Sequence, residues 1–178
     1  PPQTQLLSGR AAFTTAYVVI PGNVMTDIVT SKLPFWSDSR FWVIARPLSG
    51  FAETFSQYIC EVMPGGGSER PEAEAQAQAV LFVIKGTLSL TLDGNTHNLE
   101  PGGYAYIAPG SDWSVLNNSS SPVVFHWVRK IYEHVDGIDA PQSFVTNEKD
   151  IAPTAMPDTD GKWATTRFSA RWKPRSPT

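Results

Sequence analysis

An all-β barrel or sandwich is the fold class this sequence predicts, and three observations predict it. Apolar and β-branched residues come in short runs, each closed by Gly, Pro, Asn or Ser. The stretch 87–92 alternates strictly, with Leu88, Leu90 and Leu92 on one side and Thr87, Ser89 and Thr91 on the other, the period of a strand with one buried face. No stretch carries the 3.6-residue apolar period for long enough to make a convincing helix.

The elements follow in order. Thr14 to Ile20 is rich in β-branched and aromatic residues and ends at Pro21-Gly22-Asn23. Phe41 to Ala45 reads as a second strand, closed by Pro47 and Gly50. Glu53 to Met63 reads as a long strand stopped by a turn at Pro64-Gly65-Gly66-Gly67. The polar stretch Pro71 to Gln78 fits a helical turn or a loop entering the next strand. Ala79 to Ile84 is continuously apolar, as in a strand buried on both faces, and Lys85-Gly86 breaks it. Asp93-Gly94-Asn95 then closes a hairpin after the alternating strand. Short strands recur at Thr96–Leu99, Tyr104–Ile107, Trp113–Leu116 and Val123–Val128. Beyond Tyr132 the chain turns polar and proline-punctuated, an arm with an edge strand at Phe144-Val145 and one more strand over Trp163 to Phe168. We divide the chain into N-terminal strands (1–50), a barrel (51–132), an arm (133–168) and a basic, proline-rich tail expected to be disordered (169–178).

Composition narrows the function classes. The 178 residues suffice for one domain with a real core, and 41% hydrophobic with 17% charged content suits a globular protein. A net charge of -3 gives no basic footprint for nucleic acid, and no apolar run is long enough to cross a bilayer as a helix. The single cysteine, Cys60, lies in an apolar run and reads as a small buried hydrophobe in a reducing, cytoplasmic setting. The chain opens at Pro1 without a methionine, so we expect the gene start to lie upstream.

The segments Pro64-Gly65-Gly66-Gly67-Ser68, Val80 to Gly86 and Gly103 to Ser111 carry the glycine and proline frame of two motifs, and in that frame the sequence resembles the cupin superfamily. The family's first motif is Gly-x5-His-x-His-x(3,4)-Glu-x6-Gly, and its second is Gly-x5-Pro-x-Gly-x2-His-x3-Asn. Counting back from Gly86 puts Glu72 and Glu74 at the histidine positions, with Ala79 or Gln78 at the glutamate. In the second motif Gly103, Pro109 and Asn118 match, while Ser111 replaces glycine and Ser114 replaces histidine. A transition-metal site needs imidazoles and a carboxylate converging on one point, so no metal is expected here. An all-oxygen site at Glu72, Glu74 and Gln78 for a hard cation is the alternative, set against a solvated acidic loop. A working pair of carboxylates at Glu72 and Glu74 is a further one. Of the histidines, His97 follows a hairpin turn, His134 begins the arm, and His126 alternates with Val124 and Val128 so that it can face the barrel interior. Tyr104, Tyr106, Trp113, His126 and Trp127, with Phe125, are the candidates for a small-molecule pocket at the barrel mouth, against a purely structural reading as core.

Phe82 to Gly86, Pro101 to Tyr106, Pro109-Gly110-Ser111 and Trp127 to Tyr132, with Tyr17 to Pro21 at the opening, narrow the resemblance to the N-terminal half of bicupins of the (S)-ureidoglycine aminohydrolase type, also described as glyoxylate-induced or allantoin-catabolism proteins. The resemblance implies a double-stranded β-helix (jelly-roll) barrel with extended N-terminal strands and a C-terminal arm. It also implies that the manganese of the intact family sits in a second, C-terminal barrel, where ureidoglycine yields ureidoglycolate and ammonia. The likeness stops near Phe168, where such a barrel would begin. The expectation is therefore a metal-free structural half, inactive alone, that forms a homo-oligomer of at least two copies. Trp36, Phe41 and Trp42 are the candidates for the apolar contact face. The alternative is a free-standing small-molecule-binding cupin.

Overall fold

A computed structural model of the protein describes residues 11–14, 17–22, 30–46 and 54–168. The strands are β1 (Ala12–Phe13), β2 (Val18–Val19), β3 (Ser37–Ala45), β4 (Ser56–Ser68), β5 (Ala77–Lys85), β6 (Leu88–Leu92), β7 (Asn95–Leu99), β8 (Gly103–Ile107), β9 (Trp113–Leu116), β10 (Val123–Ile131), β11 (Phe144–Asn147), β12 (Thr154–Ala155) and β13 (Ala164–Thr165). One 3-10 turn, Glu148–Asp150, is capped by the Asn147 side chain. Every strand pairing is antiparallel, as short strands joined by tight Gly and Asn turns require.

The long strand β4 organises the barrel. Over Ser56 to Val62 it pairs with β10, and at Gly67 and Ser68 it pairs with β9. One layer runs β11-β8-β5-β10 from its first part, and the other runs β9-β6-β7 from its end, while β3 pairs with β4. The two layers close on one hydrocarbon core that joins Leu81, Val83, Val123 and Phe125 to Leu88, Leu90, Leu92 and Val115. This is the jelly-roll barrel that the sequence predicts, and the leucine alternation of 88–92 faces inward as expected.

Two readings need correction. The run Pro64 to Gly67 does not stop β4 but is its continuation. Glycine is there for close backbone approach, not for a turn. A Cβ on Gly67, at φ +151, would stand 2.1 Å from the Val115 carbonyl oxygen, and one on Gly66 would stand 2.8 Å from Asp38 O. Strand β3 also starts earlier than expected, at Ser37, because Ser37 pairs with Gly67 of this run and Ser39 with Val62 just before it. Of the expected strand over Thr14 to Ile20, the described residues show β2, which pairs with β1 just before that run. The expected turn at Pro47 to Gly50 and the tail from 169 lie outside the described residues.

Trp36 and Phe41 are not an open contact face. Phe41 is fully buried in the core, and Trp36 packs edge-on against it at 4.9 Å while its indole N–H donates to the Pro71 carbonyl. Only Trp42 alternates to the outside, beneath the Arg40 guanidinium. The arm returns to the barrel. β11 pairs with β8, and Phe168 stacks on Tyr104 at 4.3 Å. Cys60 is fully buried, and that burial pushes its thiol pKa well up, as suits a structural hydrophobe.

Candidate functional site

The place to look for chemistry in this barrel is the interior end where β9 meets β4, because the second motif runs through it. Asn117 is fully buried there and every polar atom of its side chain is used. Its amide donates to the Val62 carbonyl at 2.8 Å and the Ser121 carbonyl at 2.9 Å, while its oxygen accepts from Ser119 N and Ser119 Oγ. It ties β9, β4 and the approach to β10 together. The motif asparagine is therefore Asn117, not Asn118. Counting back, Gly102-x5-Ala108-Pro109-Gly110-x2-Trp113-x3-Asn117 fits the family spacing at full length, with Ala108 standing at the motif's proline. Trp113, not Ser114, holds the imidazole position. Trp113 points inward against Trp127 at 5.9 Å, whereas Ser114 points to the opposite face of β9. The signal was present in the sequence, since Gly102, Gly110 and Asn117 keep the family spacing with no deletion.

At the first motif, Glu72 is not a vacant donor. It receives a bidentate hydrogen-bonded ion pair from Arg129 of β10, with Nη2 at 2.9 Å, and both side chains are largely buried. Its Oε1 also accepts from Glu74 N. Glu74 is exposed and accepts from the Gln76 backbone. At the glutamate position Ala79 faces the core, while Gln78 faces outward and accepts from the Tyr106 hydroxyl at 2.8 Å. Among the described residues no three His, Cys, Asp or Glu side chains gather where they would hold a cation. A divalent metal does not fit this set of residues. A tryptophan stands at an imidazole position, an alanine at the carboxylate position, and the part-buried Glu72 is already paired with a guanidinium.

The remaining candidates are split between the two faces of the sheet. Trp113, Phe125 and Trp127 are core, and Trp127 also contacts Tyr58 and Trp36. Tyr104 and Tyr106 lie on the outer face, stacked with Phe144, and burial raises both of their pKa values. His126 does not face the interior. Its neighbours Phe125 and Trp127 do, which leaves the imidazole outside between Ile59 and Phe82. Its Nδ1 is buried without a hydrogen-bond partner, and burial lowers its pKa. His97 is half-buried on the edge strand opposite Leu90, and His134 is exposed near Asp136. The five pocket candidates therefore line no common cavity.

A second site went unnoticed in the sequence. On the outer face of β6, β7 and β9 lies an open groove of about 780 Å³. Ser68, Ser89, Thr91 and Ser114 line it, and Glu69, Arg70 and Phe35 stand at it. Phe35 occupies the third position of the turn Leu33–Trp36, at φ +66, where glycine or asparagine is usual. A bulky residue in that conformation costs roughly 1–2 kcal/mol. Yet Phe35 is 64% exposed, with the Arg70 guanidinium 5.7 Å from its ring centre.

The barrel, its two-motif frame and the buried Asn117 agree with the sequence comparisons. The family described as Cupin domain matches residues 58–129. The chain carries a cupin domain. Among solved structures this cupin is similar to a glyoxylate-induced protein of Pseudomonas aeruginosa, with 61% identity and a TM-score of 0.83 over 90% of this chain and 60% of that one. Among curated proteins it is similar to (S)-ureidoglycine aminohydrolase of Escherichia coli K12, with 24% identity over 110 residues, 62% of this chain and 41% of that protein. The Escherichia coli protein Ylba shares the fold, at 21% identity and a TM-score of 0.74, covering 86% of this chain and 61% of the other. The chain spans less than two thirds of the length of each of these relatives.

Proposed function

We propose that this chain is a metal-free cupin barrel of a ureidoglycine aminohydrolase-like protein and that its role is structural. The observation that carries this reading is Trp113. An indole holds the imidazole position of the second motif, inside a core packed with leucine, valine and aromatic side chains. The Glu72–Arg129 pair supports it from the first motif. The similarity to (S)-ureidoglycine aminohydrolase and to the glyoxylate-induced protein supports a place in the same purine-derived nitrogen chemistry. A cytoplasmic setting is consistent with the buried free thiol of Cys60.

The structural role is self-association through the outer face of β4, β10 and β5. Ile59, Phe82, Val124 and Val128 lie on that face, and exposed Met63 and Ile84 sit at its end. Contiguous apolar surface of this kind marks contact sites, and a two-fold pair is the simplest closed form. The test is an ammonia-release assay on the purified chain with ureidoglycine, with and without added manganese. No turnover in either condition is expected, and manganese-dependent turnover contradicts the reading.

A further inference from the structure

We propose that the groove on the outer face of β6, β7 and β9 is a binding site for a neutral saccharide of one or two pyranose rings. This site is independent of the scaffold role and lies on the face opposite the barrel interior. Its floor is a grid of hydroxyl groups. Thr91 stands directly across from Ser114 on β9 and from Thr96 on β7, and Ser89 follows two residues along the same strand. Side chains opposite one another in a sheet are about 5 Å apart, close to the width of a single pyranose ring. Thr91 and Thr96 share a hydrogen bond of 3.1 Å, and Ser68 Oγ accepts from Arg70 N. The hydroxyls of Ser89 and Ser114 make no hydrogen bond to the described residues. Each hydroxyl both donates and accepts, as sugar hydroxyls do, so a saccharide replaces the groove's water without stranding a polar group.

The rim supplies the rest. Glu69 and Arg70 give the groove one acceptor and one donor charge of opposite sign, so the site as a whole favours neither anions nor cations. Phe35 presents an aromatic face at the edge, where the C–H face of a sugar ring can stack. The strained left-handed backbone of Phe35 is hard to explain by packing, because the ring is exposed. Strain kept at an exposed aromatic points to a ligand. The groove mixes both characters: its hydroxyls and charges share the wall with Val115, Leu116 and Phe35, as a ligand with hydroxyls on its edge and C–H groups on its face requires.

The experiment is a titration of the 15N-labelled full chain with methyl glycosides of glucose, galactose and mannose, and with maltose and cellobiose, followed by amide chemical shifts. Methyl glucuronide and propionate serve as anionic comparators. The expected result is saturable shifts at Ser89, Thr91, Ser114 and Arg70 for at least one neutral glycoside, with a Kd of about 1 mM. Phe35→Asn keeps the turn, since asparagine tolerates the left-handed region, and should weaken binding at least about fivefold without lowering Tm. Thr91→Val keeps the strand and should weaken it by about the same factor. Arg70→Gln is the second rim variant, should either of these fail to fold. The proposal is overturned if no glycoside up to about 20 mM shifts the groove amides. It is equally overturned if the anionic comparators bind as well as the sugars, or if the folded variants bind unchanged.

Discussion

Glu72 shows why a matching position is not a matching function. It sits where the family pattern calls for an imidazole, but its charge is committed to Arg129 across 57 residues of sequence. Removing one partner of a part-buried, bidentate pair leaves the other without its counter-charge. Glu72→Gln should therefore lower the urea-unfolding free energy by about 1–3 kcal/mol, while exposed Glu74→Gln should change it by less than about 0.5 kcal/mol. Equal effects of the two substitutions would mean that the pair is not what holds Glu72. His126 gives a pH-dependent counterpart. The groups facing it are Ile59 and Phe82 across the sheet and Val124 and Val128 along its strand, and Glu61, two residues beyond Ile59 on the same face, is paired with Arg40. Burial disfavours the imidazolium, so the folded pKa lies below the unfolded one. The unfolded chain then binds more protons than the folded one between the two values. Stability is complete above the unfolded pKa of about 6.5 and falls as pH drops through the folded value. Denaturation midpoints should decline from pH 7 to pH 5, and His126→Leu should flatten that part of the decline. A profile identical in both proteins would remove His126 as its cause.

At the scale of elements, the glycine run is the least forgiving part of the sheet. Gly67→Ala would drive a methyl group into the Val115 carbonyl in a backbone region closed to side chains. Loss of the cooperative transition, or a fall of more than about 3 kcal/mol, is the expected outcome by calorimetry. A near-native Tm would show that β4 and β9 are farther apart than they stand here. This run also marks the limit of what was legible. The strands over 88–92, 113–116 and 123–128 were readable from alternation and turn residues, because half-buried strands print their period directly. The run 79–84 was readable as a strand, but it is buried on one face only, with Val80 and Phe82 half-buried and Ile84 exposed on the other. The run 64–67 was not, since a glycine that admits a neighbouring strand and a glycine that turns the chain look alike in one sequence. The face of His126 was not legible either. Both sides of β10 carry large apolar residues, and only pairing with β4 and β5 decides which side is core. The imidazole position was off by one for a related reason. Asn117 and Asn118 are adjacent and identical, and the choice between them turns on which proline and glycine anchor the count; burial decides for Asn117.

The whole molecule is a barrel whose interior does the work of a core and whose exterior carries the candidate contacts. Self-association should appear in sedimentation velocity as a concentration-dependent dimer, which Met63→Glu with Ile84→Glu should shift to monomer. Both residues are exposed, so the fold should tolerate the change. A native monomer at every concentration would contradict that pairing. In the barrel interior, tryptophan and alanine stand where a cation would need imidazole and carboxylate. Metal analysis of the purified chain, after incubation with excess manganese and then desalting, tests it most directly. The predicted result is far less than one equivalent of any transition metal per chain. One tightly held equivalent, lost on Glu72→Gln, would contradict it.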